Sequence, residues 1–425
     1  EIGQDVSEVL DYEPGNFLVI RHVRPKLACG GCQSIVQAAA PSRPVDRAVA
    51  GAGLMAHVLV SKYADHTPLY RQSQIFARDG VELAVSTLSD IVGAAAWLLT
   101  PLARALGRYV LNGSKVHGDD TPIRVLGGAK NKAKTGRLWV YVRDDRASGE
   151  TAPAAVWFQY SADRKGEHPR RHLRDFQGIL QADAYSGYDR LFEDGRIVEA
   201  ACWSHTRRKF YDIHEQQRKL PGTVAHEALQ RIAAIFAIEA DIQGQRPEER
   251  MRQRQLRTRP VLDELQRWLV ATLTEISAKS PMALAIGYAM SNWRALIRFV
   301  DDGRMEAHNN IAERALRGVA IGRKNYLHLG SDSGGERAAV VYSLLGTAKL
   351  NGLNPRAYLR HVLDRIAEQV GHLDRQVDDR PLDVARVGAV GVAGERVVRF
   401  VHQLVGRVVG DNAVASHHQH EGRAP

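Results

Sequence analysis

The chain has 425 residues, 44% of them hydrophobic, with 58 Lys plus Arg against 48 Asp plus Glu and a formal net charge of +10. Such a chain suits about two to four globular domains with sizeable cores, and its positive field attracts polyanions, nucleic acid foremost. No apolar run reaches the roughly 18 residues of a membrane span, the N-terminus carries no signal pattern, and three cysteines make no disulfide framework. The composition therefore argues against a membrane or secreted protein and for a cytoplasmic one.

In chain order, "FLVIRHVRPK" (17–26) alternates apolar and basic residues like a half-exposed strand, and "CGGC" follows at Cys29 to Cys32. Two cysteines at that spacing are half of a zinc site, which closes with four ligands. The third cysteine, Cys202, is far along the chain and His22 is the nearest histidine, so zinc here is doubtful. Residues 45–60 and 67–108 read as helices, with Thr67-Pro68 and Ser86 as start signals and Gly80 as a stop. They form either a helix-turn-helix able to enter a DNA major groove or a plain helical bundle.

From residue 112 the pattern turns to strands. "SKVHGDDTPIRVL", "GRLWVYVRDD" (136–145) and "AAVWFQYS" (154–161) read as a three-stranded meander with turn-rich segments between. "GILQAD" (178–183) is a buried strand ending on Asp183, "YSGYDRLFEDG" a short helix and "RIVEAACW" a fifth strand. Residues 205–300 are helical by pattern, and 301–325 place Glu313 on a helix that Ala312, Ala315 and Leu316 can pack down. Two carboxylates at neighbouring strand ends repel each other, so a buried pair shares a proton or binds cations. Three acids from two strands and a helix can hold two Mg²⁺ ions, hard cations that prefer oxygen. Ions about 4 Å apart activate the attacking oxygen and stabilise the leaving oxygen of in-line phosphoryl transfer.

The segments "HGDDTPIRVL", "KTGRLWVYVRDDR", "LQADAYSGYDRLF", "CWSHTRRKFYD" and "NNIAERALRGVAIGRKNYLHLGSDSGGERAAVVYSLLGTAKLNGLNPRAYLRHVLDRI" resemble the insertion sequence 66 transposase family, over residues 1 to about 368. The resemblance implies a DDE transposase that cuts transposon ends and joins the freed 3′-OH to target DNA. It implies an α/β fold: a ribonuclease H-like catalytic domain, a mixed five-stranded sheet flanked by helices, with an all-helical insertion and a mainly helical N-terminal DNA-binding region. The triad falls on Asp119, Asp183 and Glu313, as catalytic and metal-binding residues for two Mg²⁺ or Mn²⁺ ions. Double-stranded DNA at the element's ends and at the target is the implied partner, bound by a homo-oligomer, with accessory proteins from the same element and a nucleoid-associated, cytoplasmic location.

On this reading the chain divides into a partial zinc-binding-like segment (1–43), a helical DNA-binding region (44–110), the first part of the catalytic domain (111–204), the insertion (205–300) and the second part (301–368). A tail (369–425) matches nothing, and its lysine-free, Val-, Arg- and Gly-rich composition suggests disorder or an out-of-frame reading. Strand alternation sends Asp119 to one face and Asp120, where the family pattern has Glu, to the other. Arg207, Arg208, Lys209, Arg317, Arg323 and Lys324 flank the triad and suit phosphate contacts. The arginines of "QGQRPEERMRQRQLRTRP" (243–260) either follow a DNA backbone or belong to a solvated face laced with Glu248 and Glu249. His205 serves a helix N-terminus or the metals. His308 stands where the family has Asp, which keeps open a second class: a catalytically impaired, DNA-binding remnant.

Overall fold

A computed structural model describes residues 15–39, 41, 43–45, 48–127 and 133–377, and side chains as far as residue 366. Near the N-terminus, β1 (Lys26–Ala28) and β2 (Ile35–Gln37) pair antiparallel, with Cys29 and Cys32 in the connection. The strand expected from residue 17 begins only at Lys26. Phe17 packs edge-on against Phe76, but Leu18, Val19 and Ile20 are exposed, so the alternation is not used to bury one side.

Three helices follow: α1 (Ala52–Tyr63), α2 (Leu69–Arg78) and α3 (Val85–Leu111). Gly80, at φ +78°, supplies the left-handed residue after α2, and the next N–H, from Val81, reaches back to the Phe76 carbonyl. By length and composition α3 is apolar enough to cross a bilayer, contrary to the expectation from apolar runs. Here it is a core helix: Leu88, Ile91, Val92, Leu99 and Val110 bury into the main core, while the first turn around Ser86 and Ser89 stays exposed. At Gly107 it approaches the sheet so closely that a Cβ would lie 2.7 Å from the Trp157 indole.

The sheet comprises β3 (Lys115–Val125), β4 (Lys134–Arg143), β5 (Ala155–Ser161), β6 (Gly178–Gln181) and β7 (Ile197–Ala200), in the order β5-β4-β3-β6-β7. β3, β4 and β5 are antiparallel neighbours, whereas β6 and β7 run parallel to β3. The short helix α4 (Glu167–His172) links β5 to β6, and a 3-10 turn at Ser186–Leu191 links β6 to β7. The fold is thus mixed α/β around a five-stranded mixed sheet, close to the strand bounds expected from alternation.

After β7 come α5 (Trp203–Gln216), α6 (Val224–Asp241), α7 (Pro247–Gln253), a π-turn (Arg254–Thr258), α8 (Arg259–Glu275), α9 (Pro281–Ser291) and α10 (Trp293–Ile297). These helices have their own core, built on Trp203, Phe210, Ile232, Leu265, Ile286 and Phe299. The chain then returns to the sheet with α11 (Asn310–Tyr326) and α12 (Asp332–Leu350) and ends its described part in α13 (Pro355–Val377). α13 runs beyond residue 368, where the expected tail begins; residues 378–425, on which the reading of disorder or frameshift falls, lie outside the described residues.

Two arginines of the basic run do neither thing expected of them. Arg250 and Arg254 are buried. Arg254 grips Glu239 with two nitrogens at 2.8 and 2.6 Å and donates to the carbonyls of Phe299, Asp302 and Met305. Arg250 grips Glu306 at 3.1 and 3.0 Å and donates to the Gly303 carbonyl. They clamp the loop 299–306 that leads into α11. Three other arginines of the run, Arg252 exposed and Arg257 and Arg259 half-buried, pair with protein acids: Arg252 with Glu249, Arg257 with Asp241 and Arg259 with Asp301. Arg254→Ala leaves Glu239 with Arg250 alone, at 3.6 Å, frees the carbonyls of loop 299–306, and should cost about 3–5 kcal/mol in denaturant unfolding, whereas Arg257→Ala should stay within about 0.5 kcal/mol; equal effects would contradict the clamp.

Candidate active site

The parallel register pairs Lys115 with Ile179, Val116 with Leu180 and His117 with Gln181. Carried two residues on, it brings Asp119 level with Asp183, just past the end of β6. Residues i and i+2 share a face, so Lys115, His117 and Asp119 stand on one side of β3 with Gln181 and Asp183 beside them. That side is covered by the loop into α11. Lys115 Nζ donates to the Arg304 carbonyl at 2.7 Å, and the Gln181 side-chain amide donates to the carbonyls of Glu306 and His308 while accepting from the Glu306 N–H.

Asn309 fixes the start of α11. Its Nδ2 donates to the Gly118 carbonyl at 2.8 Å and its backbone N–H donates to Cys202 Sγ at 3.1 Å. With the amide nitrogen committed, Oδ1 accepts from His117 Nδ1 at 3.0 Å. Burial, with Lys115 nearby, holds the His117 imidazole neutral by pushing its pKa well down. Glu313 then lies in the first turn of α11, whose positive end favours a carboxylate. Ala312 and Leu316 are buried beneath it, as their spacing suggested.

Asp119, Asp183 and Glu313 converge electrostatically. Burial pushes the Asp119 carboxyl up to about 7, and the charges of Asp183, Asp120 and Glu313 add to the rise, against the Asp120 N–H that it accepts at 2.7 Å. Burial also raises Asp183, opposed by His205 and Arg164. Asp183 Oδ1 and Glu313 Oε1 are buried without a hydrogen-bond partner among the described residues. Asp119, repelled by both other acids, and the orphaned oxygens of Asp183 and Glu313 form a donor set fit for hard cations. The three do not close to within 4.8 Å of each other, a distance met among the described residues by Cys202, His205 and Glu313 and by Asp163, Glu167 and His168. Carboxylates on either side of two ions about 4 Å apart stand wider than that.

Asp120 points to the opposite face, as alternation required, and holds arginines. Arg137 donates to its Oδ2 at 2.9 Å, and Arg164 donates to its Oδ1 at 2.9 Å. Arg164 also lies over the Tyr185 ring, at 3.9 Å from the centroid, and reaches to 3.8 Å from Asp183. Sequence reasoning missed Arg164; the available signal was Asp120 itself, since a buried acid needs a cation. Asn309 and Cys202 stood inside the quoted motifs without an assigned task.

The six expected DNA-contacting cations divide. Arg207, Arg208 and Lys209 are exposed on α5, with Arg208 4.0 Å from Glu313. Arg317 and Lys324 are exposed on α11 and have no carboxylate within 4.0 Å among the described residues. Arg323 is half-buried and donates to the Pro122 carbonyl of β3. The His308 ring stacks on Phe236 of the helical insertion. Cys29 and Cys32 are exposed, and among the described residues no third Cys, His, Asp or Glu closes a group with them. The hydrogen bond with Ser34 lowers the Cys32 thiol to about 7, which favours a metal-binding thiolate.

Between about pH 4 and about pH 7 the folded, metal-free protein retains an Asp119 proton that the unfolded chain has released, so its stability falls as pH rises through that window. Asp119→Asn removes this penalty. In EDTA the variant should melt above the wild type at about pH 8, with the gap closing towards pH 4; a wild type at least as stable at pH 8 would show that Asp119 is ionised without cost.

The family model described as Transposase IS66 family matches residues 47–337. The IS66 C-terminal element matches residues 343–378, which carries the likeness past the expected limit, and the zinc-finger binding domain of transposase IS66 matches residues 1–33. The chain is 40% identical to the uncharacterized protein y4hP of Sinorhizobium fredii (strain NBRC 101917 / NGR234) over 381 residues, covering 87% of this chain and 69% of that protein. It is 39% identical to y4jD of the same organism over 373 residues, 86% of this chain and 72% of that protein. With models spanning the sheet, the insertion and the helices after it, the chain belongs to the IS66 family of transposases.

Proposed function

We propose that the chain cuts DNA at the ends of an insertion sequence and joins the freed 3′-OH to target DNA, with Asp119, Asp183 and Glu313 holding two divalent ions, Mg²⁺ or Mn²⁺. The observation that carries this reading is the parallel register of β3 and β6, which sets two acids side by side opposite the Glu313 helix. The strand order β5-β4-β3-β6-β7, antiparallel on one side and parallel on the other, supports the ribonuclease H-like assignment. Bound ions would supply the charge that lowers the pKa of the attacking oxygen and offsets charge on the leaving one.

The chain's own residues then position DNA. Arg164, mounted on Asp120 and Tyr185 and facing Asp183, is placed to bind a non-bridging phosphate oxygen. Arg207, Arg208 and Lys209 on α5, with Arg317 and Lys324 on α11, line the approaches and take flanking phosphates. Arg323 holds α11 to β3 and acts on DNA only through that placement. Assembly of several copies on paired ends, zinc at Cys29 and Cys32 completed by other ligands, and accessory proteins of the same element belong to the same reading. The second reading, a DNA-binding remnant without cleavage, is favoured by His308, whose ring is spent on Phe236 where the family has an acid.

A labelled duplex carrying the element's ends separates the two. Mg²⁺-dependent nicking that is lost in EDTA and in Asp183→Asn, with DNA affinity retained, establishes the triad; no nicking by wild-type protein that still binds DNA supports the remnant. Affinity should fall steeply with salt, and Arg317→Ala should reduce the slope of log affinity against log salt by about 1. A slope unchanged by that substitution would remove Arg317 from the DNA path.

A further inference from the structure

Beside the triad lies a second donor set of different chemistry. Cys202 caps α5 and His205 lies in that helix's first turn, so the Cys-x-x-His spacing turns both side chains towards Glu313 at the start of α11. Cys202 Sγ, a His205 ring nitrogen and a Glu313 oxygen lie within 4.8 Å of one another. His205 Nε2 stands 3.6 Å from Glu313 Oε1, and both His205 Nδ1 and Glu313 Oε1 are buried without a hydrogen-bond partner among the described residues. The N-termini of α5 and α11 meet here, joined by the Asn309 N–H···Sγ bond; burial and the Glu313 charge push the free Cys202 thiol up against that bond, so it stays a thiol until a metal displaces its proton. His205 and Glu313 are partly exposed, which leaves an entry path and an open coordination position.

We propose that Cys202, His205 and Glu313 form a binding site for a borderline-soft divalent transition metal, Zn²⁺ foremost, distinct in chemistry from the all-oxygen triad but sharing Glu313 with it. Sulfur, nitrogen and oxygen donors select Zn²⁺ or Co²⁺ and reject Mg²⁺ and Ca²⁺, which want oxygen alone. Binding replaces the Cys202 thiol proton, which leaves to solvent, so affinity rises with pH. Occupancy draws the Glu313 carboxylate towards α5 and away from Asp119 and Asp183, so zinc inhibits cleavage by competition for a shared ligand. That consequence rests on the proposed role of Glu313 in the triad; the metal site itself does not.

The experiment uses the full chain with Cys29→Ser and Cys32→Ser, so that Cys202 is the one remaining thiol. Titration with Co²⁺ should give a saturable thiolate-to-cobalt charge-transfer band at one equivalent, removed by Zn²⁺ and untouched by Mg²⁺. His205→Ala and Glu313→Gln should each weaken cobalt binding at least about tenfold. No band at saturating Co²⁺, or a band whose affinity neither substitution alters, overturns the site. Zinc inhibition of Mg²⁺-dependent nicking is then read as a ratio to each protein's own zinc-free rate. A ratio that rises towards one on Cys202→Ser supports competition at Glu313, and an unchanged ratio refutes it. If the protein never nicks DNA, the cobalt result still decides the site, and only the transposase mechanism fails.

Discussion

The structure is organised by the cost of bringing like charges together. Asp119, Asp183 and Glu313 come from two strands and a helix, and without cations the charges of Asp183 and Glu313 raise the free energy of ionising Asp119. Burial chiefly lifts the Asp119 carboxyl to about 7, and the surrounding acids add to the rise. Such a cluster persists only where the backbone over-determines it. The pairing of β3 with β6 fixes two members without involving their side chains. The third is set by Asn309, whose donors and acceptor join Gly118, His117 and Cys202 to the first turn of α11.

The helical insertion works as a buttress for that third acid. Glu239 of α6 holds Arg254, Arg250 holds Glu306, and Lys115 of β3 lies 3.8 Å from Glu306 and 3.5 Å from Asp145. A chain of buried charges thus runs from the insertion, through the loop before α11, to the strand that carries Asp119. Buried ion pairs add little net stability over well-packed apolar residues, and their value here is positional. Arginine forks bind two carboxylate oxygens and several carbonyls in fixed geometry, so loop 299–306 has one place to lie.

Much of this was legible in residue order. The alternation of 114–126, the apolar run of 178–183 and the helical spacing around Glu313 correspond to β3, β6 and α11, and period-2 reasoning sent Asp119 and Asp120 to opposite faces. Local pattern could not show which cations are solvated. Arg250 and Arg257 sit in the same basic run, yet one is buried against Glu306 and the other only half-buried against Asp241, because the difference depends on the loop 299–306 downstream. Arg164 lay outside every motif considered, and its place beside Asp183 follows from the packing of β5, α4 and the Tyr185 ring. The alternating stretch at 17–26 misled for the converse reason: its Leu18, Val19 and Ile20 are exposed, and residues 17–25 pair with no strand among the described residues.

Fe²⁺ in place of Mg²⁺, with ascorbate and peroxide, cuts a polypeptide near the side chains that hold the ion, and fragment mapping tests the central claim most directly. If one site unites the three acids, cleavage should appear together near residues 119, 183 and 313, and excess Mg²⁺ should suppress all three cuts in parallel. Cuts confined to the neighbourhood of 163–168, or a cut near 313 that Mg²⁺ does not suppress while 119 and 183 stay intact, would contradict a shared carboxylate site.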